Sequence, residues 1–307
     1  MEIGIALPNA IPGADGALIK AWSARAEERG FASLAATERL VFPGHDPMLA
    51  LATAAGCTQD IRLATNILVG PLRSAGKLAK ECETLQSLSG GRFTLGVGPG
   101  VRDDDFEVAE RSFTARGAAF DAQLAELHDH ALRFPAGSRG PGRSDGGTGW
   151  SHHLDPAPAP VPLMIAGLTQ RAVRRVVRYG AGWTAPGLSP EAIQPQVRRV
   201  RQAWSDVGRA GQPRILALAR YSLGDDVVAE SGRFVADYFA ITGEDPQVYV
   251  NGTPSTPSAI RAVADELAAV GVDELVFHPT AAALSQVDRL ADVLLTMRRP
   301  SLVGGAR

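Results

Sequence analysis

Side chains able to do chemistry are sparse in this chain, and they fall in a few short groups. Glu38-Arg39 place a carboxylate beside a guanidinium, a pair able to polarise a substrate or deliver a proton. Gly98-Pro99-Gly100 close the apolar run "FTLGVG" with no side chain larger than a proline ring. Backbone of that kind turns sharply or lets a ligand come close. In "MIAGLTQRAV" a glycine turn leads to Thr169 at a helix start, where outward amides can hold a phosphate, with Arg171 adding charge. Tyr221 and His278 are further polar groups at the ends of apolar runs, and core packing explains them equally well. No Ser/His/Asp set, acidic metal cluster or carboxylate pair emerges. His152 and His153 are adjacent but lack further ligands at metal spacing, so no metal site is expected. A site so poor in reactive side chains implies a bound cofactor that carries the reactive atom.

The elements that must position these groups alternate from end to end. Short β-type runs lie at Ile3–Leu7, Ser33–Thr37, Arg62–Ile67, Phe93–Val97, Leu163–Ala166, Gly182–Ala185, Ile215–Arg220 and Glu274–His278. Helical stretches separate them, as in "SAIRAVADELAAVG", where Ile260, Val263, Leu267 and Val270 recur at steps of three and four. Such alternation gives a parallel sheet buried on both faces. Eight units favour one α/β domain over residues 1–307, a closed (β/α)8 TIM barrel rather than an open doubly wound sheet. No Gly-x-Gly-x-x-Gly fingerprint opens the first unit. A Gly/Pro-rich insertion, about residues 133–162, separates the fourth helix from the fifth strand. In a barrel, chemistry sits at the C-terminal strand ends, where the groups above fall.

Bulk properties exclude several classes. Lys and Arg total 31 against 33 Asp and Glu, a balance that gives no reason to expect nucleic acid or an anionic membrane surface as partner. Cys57 and Cys82 are too few for a disulfide framework and read as core residues in a reducing compartment. The N-terminus lacks a signal core and no apolar run reaches membrane-spanning length, so a cytoplasmic location is expected.

At the level of motifs, "LAKECETLQSLSGGRFTLGVGPG" and the helix after it resemble the bacterial-luciferase-like family of flavin- and deazaflavin-dependent oxidoreductases. "IRLATNILVGPLRSAGKLAK", "VPLMIAGLTQRAVRRVVRYGAGW" and "VGVDELVFHP" extend the resemblance over most of the chain. It implies a (β/α)8 barrel binding F420 or, alternatively, FMN, with the ring in the barrel mouth. It implies a non-proline cis peptide at Asn66-Ile67 behind that ring. Gly98, Pro99 and Gly100, with Gly167, Leu168 and Thr169, fall where relatives hold the cofactor's tail and phosphate. Three departures stand out. Glu38-Arg39 replace an acid-His pair, Val101 replaces a glutamate, and Gly167-Leu168 replace Gly-Gly. The missing histidine base argues against alcohol oxidation. The expected activity is hydride transfer between F420 and a small organic substrate, with Glu38 and Arg39 as catalytic candidates. With FMN the same pocket implies a monooxygenase, fed by a separate flavin reductase. A cofactor-free ligand-binding barrel is the third reading. Helices "PMLALATAAGC" and "GKLAKECETLQSL" match those that pair subunits in relatives, so a homodimer is expected.

Overall fold

A computed structural model describes residues 1–133, 159–243 and 245–295. Nine parallel strands follow one another as β1 (Glu2–Ala6), β2 (Ser33–Ala36), β3 (Arg62–Thr65), β4 (Leu68–Val69), β5 (Phe93–Gly98), β6 (Leu163–Ala166), β7 (Gly182–Thr184), β8 (Arg214–Tyr221) and β9 (Glu274–Pro279). The sheet order is β3-β2-β1-β9-β8-β7-β6-β5-β4, and pairing of β3 with β5 closes it. β3 and β4 are two pieces of one barrel strand, interrupted at Asn66-Ile67. The result is the closed (β/α)8 barrel that the alternation predicts. Most of the predicted insertion lies outside the described residues, as do His152 and His153.

The helices are α1 (Gly16–Glu28), α2 (Pro47–Cys57), α3 (Ala75–Leu88), α4 (Asp103–Val108), α5 (Arg116–Arg133), α6 (Gln170–Tyr179), α7 (Pro190–Asp206), α8 (Val228–Phe239), α9 (Pro246–Asn251), α10 (Pro257–Ala269) and α11 (Ser285–Leu294). Their starts follow capping chemistry. Asp46 accepts from the amides of Met48 and Leu49 at 2.9 and 3.0 Å, with Pro47 at the first helical position. Thr256 and Pro257 do the same for α10.

Strand side chains alternate between two environments. One set, including Leu34, Leu63, Phe93, Trp183, Ile215 and Phe277, points outward and packs against the helices in one continuous core. The other set points into the barrel and is layered. Ala6, Ala35, Ala64 and Val276 make a separate buried cluster across the barrel's middle. Gly96 and Gly182 share this inner face, and added Cβ atoms there would stand 2.1 and 2.0 Å from the backbone oxygens of Thr65 and Arg214. Small residues therefore let the strands draw together and seal the barrel between its two ends.

At the N-terminal end, Glu274 accepts from Ser33 and Arg214, and from Arg62 at 3.4 Å. Glu2 accepts from Arg62 at 3.0 and 2.5 Å and from Arg214 at 2.8 Å. Two carboxylates and two guanidiniums plug this end in mutual neutrality. The Ser-Gly-Gly-Arg turn lies here too. Gly90 and Gly91 take φ of +65° and +88°, and Arg92 donates to the carbonyls of Ser89, Ile61, Ala55 and Thr58. This motif ties the loop before β3 to the turn before β5, away from the mouth.

Candidate active site at the barrel mouth

At the C-terminal end the inward positions are Asn66, Gly98, Ala166, Thr184, Leu218 and His278, by strand alternation and register. The wall built by β5, β6 and β7 carries Gly98, Ala166 and Thr184, nothing longer than threonine. The opposite wall carries Leu218 and, one level higher, Arg220 and His278 side by side. The mouth is thus roomy on one side and polar on the other.

The peptide between Asn66 and Ile67 is cis, at the position the resemblance implies. Thr184 Oγ1 donates to Asn66 Oδ1 at 3.1 Å, while Asn66 Nδ2 is buried with no partner. Ile67 Cδ1 would lie 2.7 Å from a Cβ on Gly98, and Ala166 Cβ 3.0 Å from it. Gly100 has φ of +78°, and an added Cβ would meet Val69 Cγ1 at 2.6 Å and Phe106 Cε2 at 2.8 Å. Both glycines are thus already required by contacts within the protein: Gly98 by the strand break, Gly100 by the turn. Pro99 between them is half-buried.

Glu38 and Arg39 are neighbours in sequence but pair elsewhere. Glu38 is buried; one oxygen accepts from the amide of Val69 at 2.6 Å and the other from Arg73. Burial raises the Glu38 pKa against the opposing pull of Arg73. Arg39 donates to Asp105 at 3.0 Å and Asp104 at 3.1 Å, and Asp105 also accepts from the amides of Leu40 and Val41 at 2.7 and 3.1 Å. The two residues brace the loop after β2 against β4 and α4. Arg73, Asp104 and Asp105 were missed in the sequence because their partners stand far away along the chain.

The loop after β6 shows Gly167 at φ of +132°, where a Cβ would press on Ala172 at 2.8 Å. Trp183 Nε1 donates to the Gly167 carbonyl at 2.8 Å, fixing the turn from outside. Thr169 caps α6 by accepting from the Ala172 amide at 3.3 Å. Leu168 and Arg171 are exposed. Arg171, Arg174, Arg175 and Arg178 recur at helical spacing along α6, and Arg175 is the one that turns inward. It is buried over the Phe120 ring and donates to Asp121 at 2.6 Å and the Gly117 carbonyl at 2.8 Å, locking α6 to α5.

Tyr221 and His278 separate by strand parity. Tyr221 points outward, packs edge-on against Phe277 and donates to the Gln286 carbonyl at 3.1 Å, so it belongs to the core. His278 points inward, and its Nε2 is buried with no partner. Burial, with the positive charge of Arg220 second, lowers its pKa to about 3, so it is neutral near pH 7. Arg220 pairs with His278 in the β8–β9 register. Its guanidinium stands 5.1 Å from the Tyr238 ring centre and 4.5 Å from that of Phe239, with no ion pair to a carboxylate among the described residues. Arg102 approaches Tyr238 as well, at 4.6 Å. The aromatic cluster of Phe42, Phe234, Tyr238, Phe239 and Tyr249 comes from α8, α9 and the loop after β2. Exposed apolar side chains rim the mouth: Leu40, Val41, Val101, Leu168 and Leu188, each just beyond a strand end.

These features define a (β/α)8 barrel whose mouth carries small inward residues on one wall and Arg220 and His278 on the other. The family model for luciferase-like monooxygenases matches residues 1–274, and the chain belongs to that family. Among curated proteins it is 25% identical over 164 residues to the uncharacterised protein Rv0940c of Mycobacterium tuberculosis, covering 50% of this chain and 51% of that one. It is 25% identical over 192 residues to the uncharacterised protein Rv0953c of the same organism, covering 56% and 61%. The chain thus spans about half the length of the curated relatives it matches. Three solved structures share the fold. An F420-dependent secondary alcohol dehydrogenase in complex with an F420-acetone adduct aligns with a TM-score of 0.75 at 15% identity, over 97% of this chain and 99% of that one. The monooxygenase RslO1 from Streptomyces bottropensis aligns at 0.69 and 20% identity, over 96% and 99%. The coenzyme F420-dependent tetrahydromethanopterin reductase from Methanopyrus kandleri aligns at 0.69 and 16% identity, over 96% and 98%.

Proposed function

We propose that the protein is an oxidoreductase that transfers hydride between F420 and a small organic substrate, in the reducing direction. The observation that carries this is the mouth itself. A wall of glycine, alanine and threonine stands beside Asn66, whose unpartnered amide lies at an inward position of the mouth. That combination fits a flat ring with polar edges. In this reading Asn66, Ile67 and Gly98 back the ring, and Pro99 and Gly100 border its tail. Gly167, Leu168, Thr169 and Arg171 receive the phosphate at the start of α6. The deazaflavin supplies the hydride chemistry when bound. The protein orients the ring and substrate, while the alanine layer below and the apolar rim above keep water away. Glu38 and Arg39 act by holding the loop after β2 in place through their ion pairs.

FMN with monooxygenation is the second reading, supported by the family's description and by the RslO1 likeness in fold. A cytoplasmic homodimer through α2 and α3 completes the proposal; Leu49 and Leu88 on those helices are exposed. Among the described residues no helix is long and apolar enough to cross a membrane.

Titrating purified protein with F420 and with FMN, following absorbance and fluorescence, tests the reading. Saturable F420 binding without FMN binding is expected. Binding of FMN alone, with oxygen uptake on reduction, overturns F420 in favour of the monooxygenase. Binding of neither overturns the enzymatic reading.

A further inference from the structure

Resting on that reading, we propose that Arg220 and His278 form a subsite for the carboxylate of a substrate with an apolar body. Arg220 is half-buried, its charge faced by the rings of Tyr238 and Phe239, with no carboxylate partner among the described residues. Of the other guanidiniums near the mouth, Arg39 is held by Asp104 and Asp105 and Arg73 by Glu38, Asp46 and Glu81, while Arg102, on the loop after β5, donates to the Tyr238 carbonyl at 2.5 Å. Arg220 alone combines inward strand parity with a missing counter-charge. A guanidinium removed from water in this way recovers its lost solvation from a bound anion, best from a planar two-oxygen group.

His278 lies beside it in register and presents the unpartnered Nε2. As a neutral imidazole it adds a hydrogen bond without a second charge, which suits a monoanion better than a phosphate dianion. Access is kept by Gly187, where a Cβ would stand 3.3 Å from Arg220 Nη1 and 2.8 Å from Leu218 Cδ1. Leu218, which shares the Gly187 approach with Arg220, and the rings of the α8–α9 cluster adjoin the subsite, so the remainder of the ligand is apolar. Arg220 and His278 thereby hold the substrate's carboxylate end, leaving its body in the roomier half of the mouth.

The test uses 4-fluorocinnamate and its neutral amide as probes, with binding to the full-length protein read by fluorine NMR in the presence and absence of F420. The wild type should bind the acid at least about tenfold more tightly than the amide, the size of one charge-assisted contact. Arg220→Gln should bring the two probes to parity, Arg220→Lys should keep part of the preference, and F420 affinity should stay within about twofold in both variants. Equal binding of acid and amide to the wild type, failure of both to bind, or a preference that survives Arg220→Gln overturns the subsite. A preference that depends on Arg220 in protein that does not bind F420 supports the subsite while the cofactor reading falls.

Discussion

Both ends of the barrel carry inward arginines, and they solve opposite problems. At the N-terminal end Glu2, Arg62, Arg214 and Glu274 satisfy one another, with Ser33 completing the set. At the mouth, Arg220 lacks a counter-charge and Asn66 Nδ2 and His278 Nε2 lack partners. A closed network of polar groups holds structure; an open one leaves capacity for a ligand. The alanine layer between them keeps the two apart.

Substitutions separate the roles. Glu274→Ala leaves two guanidiniums short of their shared buried carboxylate and should cost about 3 kcal/mol in chemical denaturation. F420 binding should be unchanged. Loss of binding at full stability would erase the distinction between the ends. Arg73→Met strands the buried Glu38 carboxylate and should cost about 2–3 kcal/mol at pH 7. The cost should shrink as pH falls, because the already raised Glu38 pKa rises further and protonation removes the stranded charge. A cost independent of pH would show that Glu38 is not the group affected.

Much of the fold was legible. The alternation of strands and helices placed every barrel strand within a few residues, and the glycine and proline punctuation marked their ends. What escaped was long-range pairing. Glu38 and Arg39 look like one ion pair because they are adjacent, yet consecutive side chains near a strand end diverge. Their partners lie 35 and 66 residues on, at Arg73 and Asp105. The break between β3 and β4 was invisible to periodicity, since "RLATNILV" reads as one apolar run. Arg220 was findable. In "RILALARY" the outward residues Ile215, Ala217 and Tyr221 fix the parity that turns Arg220 inward, and "ELVFHP" does the same for His278. The buried Arg175 had no such signal, because its partners are on another helix.

Gly100→Ala sharpens the comparison within the mouth. Its positive φ and the contacts with Val69 and Phe106 should make the variant about 1–3 kcal/mol less stable by thermal melting. A neutral result would mean that the turn relaxes without cost. The smallest effect at neutral pH is expected from His278→Asn. In the wild type the folded pKa of about 3 lies below the usual 6.5, so the unfolded chain takes up the proton first. Stability from this group is therefore lost as pH falls from about 6.5 towards 3, and the variant should lose less over that window. Parallel stability–pH curves for the two proteins would contradict a buried neutral imidazole.

A crystal structure of the protein with F420 bears most directly on the central claim. The deazaflavin ring should lie at the C-terminal mouth against Asn66-Ile67 and Gly98, with its phosphate at the start of α6 and Arg220 left free beside it. Density for the ring on any other face of the barrel, or a mouth filled by the protein's own side chains in the complex, would contradict the account.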